Sequence, residues 1–549
     1  MCGIAGSINH NKYNLEAIKE SLFHRGPDEQ EIFIKNSVAL IHTRLSIQDI
    51  SSGHQPFHFK NYSIIFNGEI YNHLELREKL KEFHFNTTSD TETLLYMYIK
   101  YKEKCLEMLD GMFAFAVVNF EDNSLFLSRD RSGKKPLYMY SDDDSILFAS
   151  ELNAIKAGVD SLHVDDDAIY SYLRVGLFYN RYTPYKNVQE IDAGCFYTID
   201  MDSLHVEKYR YFEIKDFYEK PSLLNFEDAL NKTDEILHKS VKSRLISSDL
   251  EVGAFLSGGI DSSLIVAIAS QYQDSLKTFT VKFDGAYDES PLAELSAKKY
   301  GTKHTTIEIS MNVKDDVEKI LQNYGMPFMD SSAIPSYYVS QEAKKHVTVI
   351  LNGDGADEIF AGYRRYVPIA NSMISVASKF SSLLHVMPTP HNKKSLYSHV
   401  HRLLSMSNKK GLDFYLSATV DIFEDSYTFK QNHILDEMSS FINSCSLKGL
   451  SKQLYLDFNI LLLSDLLVKM DIATMAHSLE GRSPFLSKDM LEFAPTLRDN
   501  YKIKGKTTKY ILRELSKKYL PQQLITQPKR GFEVPLKKWV EEDLSTNIY

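Results

Sequence analysis

The sequence predicts two domains of different class: an α+β unit, then a parallel-sheet α/β unit with a helical C-terminal part. Three observations predict it. Closely spaced strands and turn residues fill the first two hundred positions, and strands alternating with helices follow beyond them. The 549 residues, 43% of them hydrophobic, give roughly two to four domains by length, with ample material for buried cores. The change of pattern places the boundary near residue 210, giving units 2–210 and 211–549.

In the first unit the expected strands are Val38 to His42, Tyr62 to Phe66, Met112 to Phe120, Leu125 to Ser128, Pro136 to Tyr140 and Ile146 to Ala149. Asn-Gly, Asp-Asn-Ser and Asp-Asp-Asp-Ser clusters punctuate them. Helices fit Leu74 to Phe83 and Thr91 to Tyr101, the second behind Ser89-Asp90-Thr91-Glu92, which has capping-box spacing. Residues from about 155 to 225, including Asp165 to Asp167 and the polar, aromatic stretch Tyr209 to Tyr218, read as a connection.

The second unit offers strands at Val252 to Leu256, Thr278 to Phe283, Thr305 to Ile309 and Val347 to Leu351. Helices follow them, one with Ser290 as N-cap and Pro291 as first helical residue, another near Val313 to Tyr324. In open sheets of this kind ligands sit beyond the carboxyl ends of the strands. Two strand ends carry glycines and polar groups.

The first is Leu256-Ser257-Gly258-Gly259-Ile260-Asp261-Ser262-Ser263. Adjacent glycines let the backbone approach an anion, helix N–H groups point at it, and Ser257 and Ser262 add hydroxyl donors. On spacing alone it also reads as a glycine turn with an Asp cap. No Lys follows the glycines, so it is not the loop that grips β and γ phosphates. The second is Asn352-Gly353-Asp354-Gly-Ala-Asp357-Glu358, where crowded carboxylates make sense if a cation neutralises them; Asp261 and Asp357 are the expected Mg²⁺ pair.

Bulk composition narrows the function. A net charge of −10 argues against a nucleic-acid binder. No run approaches the roughly 18 apolar residues of a membrane span, and Met-Cys-Gly-Ile-Ala-Gly lacks the features of a signal peptide, so the expectation is a cytoplasmic protein with no membrane partner. Cys2, Cys105, Cys195 and Cys445 are too scattered for a disulfide framework or zinc site.

Cys2 stands out by position. Removal of the initiator Met would give it a thiol and a free α-amino group, a nucleophile with a base beside it. Attack on a carboxamide releases ammonia, and Asn67-Gly68 offers a side-chain amide and a backbone N–H for the developing oxyanion. Singly these signals have plainer readings: Asn-Gly as a hairpin turn, Arg44 as half of a surface ion pair, Asp90 as a helix cap.

Together, Cys2-Gly-Ile-Ala-Gly, His24-Arg-Gly-Pro-Asp28, His42-Thr-Arg44-Leu-Ser-Ile47, Phe66-Asn67-Gly68-Glu69-Ile-Tyr-Asn72 and Ser89-Asp90-Thr-Glu92 resemble, in order, the glutaminase domain of class II glutamine amidotransferases. The resemblance implies an N-terminal-nucleophile (Ntn-hydrolase) αββα sandwich. It implies Cys2 as nucleophile, Asn67 and Gly68 as oxyanion hole, and a glutamine site of Arg44, Leu45, Ser46, Ile47, Gln48, Asn67, Gly68, Glu69 and Asp90. Arg44 would clamp the α-carboxylate; Glu69 and Asp90 would take the α-ammonium.

The second half resembles the synthetase domain of glutamine-dependent asparagine synthetases, a PP-loop, adenine nucleotide alpha hydrolase-like fold. Besides the two strand ends, the matching pieces are Phe279-Thr-Val281, Met329-Asp330-Ser-Ser332-Ala-Ile-Pro335, Lys469-Met-Asp471 through Glu480-Gly-Arg-Ser-Pro-Phe-Leu486, Lys509-Tyr-Ile-Leu-Arg513-Glu514 and Lys529-Arg-Gly-Phe-Glu-Val-Pro535. It implies ATP held by Leu256, Ser257, Gly258, Gly259, Asp261, Ser262, Val281, Asn352 and Gly353, with Asp354 and Lys509 catalytic and Lys509 and Arg513 near the α-phosphate. Without the resemblance that last pair reads as solvated charges.

The implied reaction adenylates the side-chain carboxylate of aspartate and lets ammonia from glutamine displace AMP through an internal channel. The implied partners are glutamine, aspartate and ATP, with a homodimer left open. One branch of the family carries Gly-Glu-Gly-Ser-Asp-Glu where this chain has Asp354 and Ala356, so another carboxylate acceptor, such as a sugar acid of surface polysaccharide, is the alternative.

Overall fold

The computed structural model describes residues 2–282, 288–308, 313–388, 395–419 and 431–527. Along the first half run strands β1 (Gly3–Ile8), β2 (Glu29–Lys35), β3 (Val38–Arg44), β4 (Phe57–Phe59), β5 (Tyr62–Ile70), β6 (Gly111–Asn119), β7 (Ser124–Arg129), β8 (Tyr138–Ser141), β9 (Ile146–Ala149), β10 (Val188–Glu190), β11 (Cys195–Asp200) and β12 (Val206–Arg210). They form two six-stranded antiparallel sheets, ordered β10-β8-β9-β1-β3-β2 and β12-β11-β7-β6-β5-β4.

The inner faces meet through Ile4, Ile8, Val38 and Leu40 from one sheet and Ile65, Ala114, Ala116, Leu125 and Leu127 from the other. The helix Asp90–Tyr101 covers the outer face of the second sheet, and Leu15–Ser21 with Leu152–Gly158 covers that of the first. Strands covered on both faces need no polar alternation, which is why β1, β3 and most of β5 and β6 are buried end to end. The expected αββα sandwich is therefore present.

The second half carries β13 (Val252–Phe255), β14 (Lys277–Lys282), β15 (Lys303–Glu308), β16 (Val349–Leu351) and β17 (Glu480–Arg482), all parallel, in the order β15-β14-β13-β16-β17. Strand order reverses between β13 and β16, and such a switch point opens a crevice at the strands' carboxyl ends. A long helical excursion separates β16 from β17, so the helical part interrupts the sheet as well as following it.

Several expectations are corrected. The helix expected at Leu74 to Phe83 stops at Arg77, whose guanidinium donates to Thr87 O, Ser89 O and Thr93 Oγ1. The strand expected at Pro136 begins at Tyr138 because Asp130 accepts the N–H groups of Lys134 and Lys135 and curls the chain there. Glu289 is the N-cap and Ser290 the first helical residue of Ser290–Tyr300. The supposed connection from 155 to 225 contains β10, β11 and β12, and Asp165 caps the helix Asp166–Val175. Phe283, Ile309 and the Lys529 to Pro535 stretch lie outside the described residues. Among the described residues no helix is long and apolar enough to cross a membrane, and all four cysteines are free thiols.

Candidate functional site

Cys2 lies immediately before β1, at the middle of the first sheet. The loop after β3, the carboxyl end of β5 and the first turn of Asp90–Tyr101 converge on it. They enclose a pocket of 40 Å³ lined by Cys2, Arg44, Leu45, Ile47, Gln48, Gly68, Glu69 and Asp90, with Glu480 from the second half. Of the expected glutamine-site residues, Ser46 and Asn67 are not on this wall. The Ser46 N–H donates to Asp28 Oδ2 at 2.7 Å, which ties the His24 to Asp28 segment to the loop. Asn67 Oδ1 accepts from the Cys2 N–H at 3.2 Å, while its Nδ2 is buried with no partner among the described residues. A Cβ on Gly68 would lie 2.1 Å from Met112 O, so only glycine permits this approach of β5 to β6.

The Cys2 thiol is pushed up by burial, against the lowering influence of the chain's amino terminus, the Leu45 N–H and Arg44. A base must therefore take its proton. Arg44 is buried and held from behind: Nη1 donates to Glu29 Oε1 at 2.6 Å, Nη2 to Asp49 O at 2.6 Å. Asp90 is not the helix cap, a role Ser89 fills through the Thr91 N–H. Its Oδ2 accepts from the Ile70 N–H at 2.8 Å, and burial pushes its carboxyl up to about 7 despite that bond. Glu69 is pushed well above the usual carboxylate range by burial and by Asp90, with Arg482 opposing.

The loops after β13 and β16 face one another across the switch point. A cavity of 530 Å³ gathers Leu256, Ser257, Gly258, Gly259, Asp261, Ser262, Val281, Asn352, Gly353, Asp354, Asp357, Lys509 and Arg513, and Asp330 and Ser332 line its far side. Ser262 Oγ accepts from the Ser257 N–H at 3.1 Å, closing the glycine loop on itself ahead of the helix Ile260–Ala269.

Lys509 Nζ lies 2.6 Å from Asp261 and 2.7 Å from Asp357. The lysine has φ 50°, and Ala361, whose carbonyl accepts its N–H at 3.3 Å, has φ 60°. Two non-glycine residues in the left-handed region beside one cluster of charges mark a site where geometry outweighs local strain. Asp261 Oδ1 is buried with no hydrogen-bond partner, and two hard carboxylates fit a divalent cation. Among the described residues no third His, Cys, Asp or Glu completes a metal cage, so phosphate oxygens and water would have to.

Sequence reasoning missed four contributors. Lys134, from the first half, reaches Asp354 Oδ2 at 3.0 Å. Lys469 donates to Asp330 Oδ2 at 2.7 Å and Ser332 Oγ at 2.8 Å. Glu480 lines the first pocket, and Arg482 meets another of its wall residues, Glu69, at 3.2 Å. The Lys469 and Glu480-Gly-Arg segments carried the resemblance but had no assigned role; for Lys134 nothing in the sequence pointed across the halves.

The Asparagine synthase family model matches residues 232–548, and the Glutamine amidotransferase domain model matches residues 1–211. The chain is 35% identical to asparagine synthetase (glutamine-hydrolyzing) 1 of Bacillus subtilis (strain 168), over 99% of this chain and 89% of that one. It is 31% identical to a putative asparagine synthetase (glutamine-hydrolyzing) of Mycobacterium tuberculosis (strain ATCC 25618 / H37Rv), over 94% and 83%. A putative asparagine synthetase (glutamine-hydrolyzing) 2 of Methanocaldococcus jannaschii is 36% identical over 67% and 76%.

Proposed function

This chain belongs to the asparagine synthase family, and on that premise we propose that it makes asparagine from aspartate with ATP and with ammonia taken from glutamine. The observation that carries the reading is the sorting of residues. An amide-cleaving set surrounds Cys2 and an anion-holding set surrounds the Ser257 to Ser262 loop, in two separate cavities of one chain. The proposed working units are residues 2–210 and 211–549.

In the first pocket, with Met1 removed, the Cys2 thiol passes its proton to the freed α-amino group and attacks the side-chain carbon of glutamine. The developing oxyanion accepts from Asn67 Nδ2, the buried donor without a partner, and from the Gly68 N–H. Collapse expels ammonia as it takes up that proton's equivalent, and water later cleaves the thioester to glutamate. Arg44 holds the α-carboxylate, while Glu69 and Asp90 hold the α-ammonium.

In the second cavity the carboxylate of aspartate attacks the α-phosphorus of ATP and pyrophosphate leaves. The backbone N–H groups of Gly258 and Gly259 and the hydroxyls of Ser257 and Ser262 cradle the departing group. Lys509 turns from the carboxylates to the α-phosphate as charge builds there. Asp261 and Asp357 would hold Mg²⁺, which would supply neutralisation of the phosphate oxygens. Ammonia then attacks the acyl-adenylate and AMP leaves.

Amide-¹⁵N glutamine, ATP and aspartate given to the enzyme should yield labelled asparagine, AMP and pyrophosphate in equal amounts. Cys2→Ala should end the glutamine-dependent reaction and keep the ammonia-dependent one. Glutamate formation with no asparagine would redirect the reading to another carboxylate acceptor; loss of both activities in a folded Cys2→Ala protein would refute the separation of roles.

A further inference from the structure

The pocket around Cys2 has a wall that the first half of the chain does not supply. Glu480 opens β17, the outermost strand of the parallel sheet, and its N–H donates to Thr348 O at 2.8 Å, next to β16. Its side chain is 1% exposed and lines the pocket beside Cys2, Glu69 and Asp90. Glu480 Oε1 accepts from Arg482 Nε at 2.6 Å, and Arg482 Nη2 reaches Glu69 Oε2 at 3.2 Å. The Arg482 guanidinium has little freedom, because Nη1 also donates to Arg244 O and Ser247 Oγ, both at 2.7 Å.

Glu69, Asp90 and Glu480 bring three carboxyl groups to one small pocket; Arg482 is paired with Glu480 and Glu69, and the chain's amino terminus also draws on both. The guanidinium on the wall, Arg44, is paired with Glu29 and the Asp49 carbonyl. Glu69 Oε1 remains buried with no partner. Glu69 thus offers a buried acceptor suited to a cation with several N–H donors, and Glu480 lies on the same wall.

We infer that the glutamine site is shared between the two halves, with Glu480 the third carboxylate of the α-ammonium subsite and Arg482 the positioning residue that orients Glu69. The inference rests on the glutaminase reading of this pocket. It makes residues 2–210 an incomplete glutamine site without β17. It also joins the two cavities, because the residue after Arg482, Ser483, donates through Oγ to Asn352 Oδ1 at 2.7 Å and to Asp354 Oδ2 at 3.4 Å.

The test uses the full chain and two substrates, glutamine and 4-carbamoylbutanoate, which has the same amide and carboxylate but no amine. Glutamate or glutarate release gives kcat/KM for each, and the ratio reads recognition of the ammonium alone. In Glu480→Gln that ratio should fall about tenfold or more, mostly through KM for glutamine. Glu480→Asp, which keeps the charge at shorter reach, should lie between, and Arg482→Lys should raise KM for glutamine more than it lowers kcat.

Ammonia-dependent synthesis on the same preparations reports whether the second cavity is intact. An unchanged ratio in Glu480→Gln, or an equal loss for both substrates, would overturn the inference and leave Glu480 a plain wall. A wild-type enzyme that releases no ammonia from glutamine would instead overturn the functional reading, and the inference with it.

Discussion

If Asp90 holds the α-ammonium of glutamine as proposed, binding depends on pH, and the burial of its carboxyl gives the sign. Burial pushes its carboxyl up to about 7, so near neutrality the group that should hold the ammonium is only partly charged. Glutamine binds best to the ionised form, so affinity is full above that value and is lost as pH falls through it. With a pKa of about 7 the ionised share is about nine-tenths at pH 8 and about one-tenth at pH 6, a tenfold loss of affinity or ~1.4 kcal/mol. Glu69 faces Asp90 and titrates with it, so the observed midpoint belongs to the pair.

The measurement is cleanest in Cys2→Ala, where neither hydrolysis nor the thiol interferes, with glutamine affinity read by titration calorimetry from pH 6 to 8. Asp90→Asn in the same background should bind weakly throughout, with a flatter profile. An affinity that changes less than twofold across that window in the Cys2→Ala protein would refute the assignment of Asp90 to the ammonium.

Two further outcomes concern the second cavity. Lys134→Met removes the buried ammonium 3.0 Å from Asp354, and ammonia-dependent synthesis should fall by about tenfold to a hundredfold, the scale of one charge-assisted hydrogen bond; Lys134→Arg should recover part of it, and equal rates in wild type and Lys134→Met would remove the role. Gly362→Ala would place a Cβ 1.7 Å from Asp357 Oδ1 and 2.3 Å from Lys509 Cε, so ATP-dependent synthesis should be lost with an unchanged circular dichroism spectrum and continued glutamine hydrolysis.

Both strand-end loops of the second half could be located in the sequence because glycines and carboxylates gather at strand-to-helix junctions. Spacing alone also fits a glycine turn and an acidic loop, and the full set of ATP residues came from the resemblance. The cavity at the switch point collects every residue expected to hold ATP. The first pocket was legible where a residue type is demanded, as at Gly68, and less so where side chains act through what they face. Ser46 was expected on the wall, yet its contact is the backbone bond to Asp28. Short strands escaped for a physical reason: β17 is only three residues, Glu-Gly-Arg, and no alternation or β-branched run announces it. Its charged ends are buried only because another half of the chain covers them, which local patterning cannot reveal.

The same principle explains the join between the halves. Arg25 Nη2 and Lys135 Nζ hold opposite oxygens of Asp471 at 2.8 and 3.0 Å, and Arg25 Nε donates to Cys2 O at 3.2 Å. Burial alone would raise the Asp471 carboxyl, but Arg25 and Lys135 hold it down at about 2. The cluster's stabilising contribution is therefore complete above the usual carboxylate value and is lost only as pH falls toward about 2. Asp471 stays charged throughout the range in which Asp90 titrates.

Buried ion pairs add little net stability compared with an apolar contact of the same shape, but separating one strands its charges at a cost of about 3–5 kcal/mol. Asp471 with Arg25 and Lys135, Arg482 with Glu69, and Lys134 with Asp354 are charge pairs formed across the boundary between the halves. Because Arg25 carries the Cys2 carbonyl and Lys134 carries Asp354, these pairs set Cys2 and the Asp354 loop relative to each other.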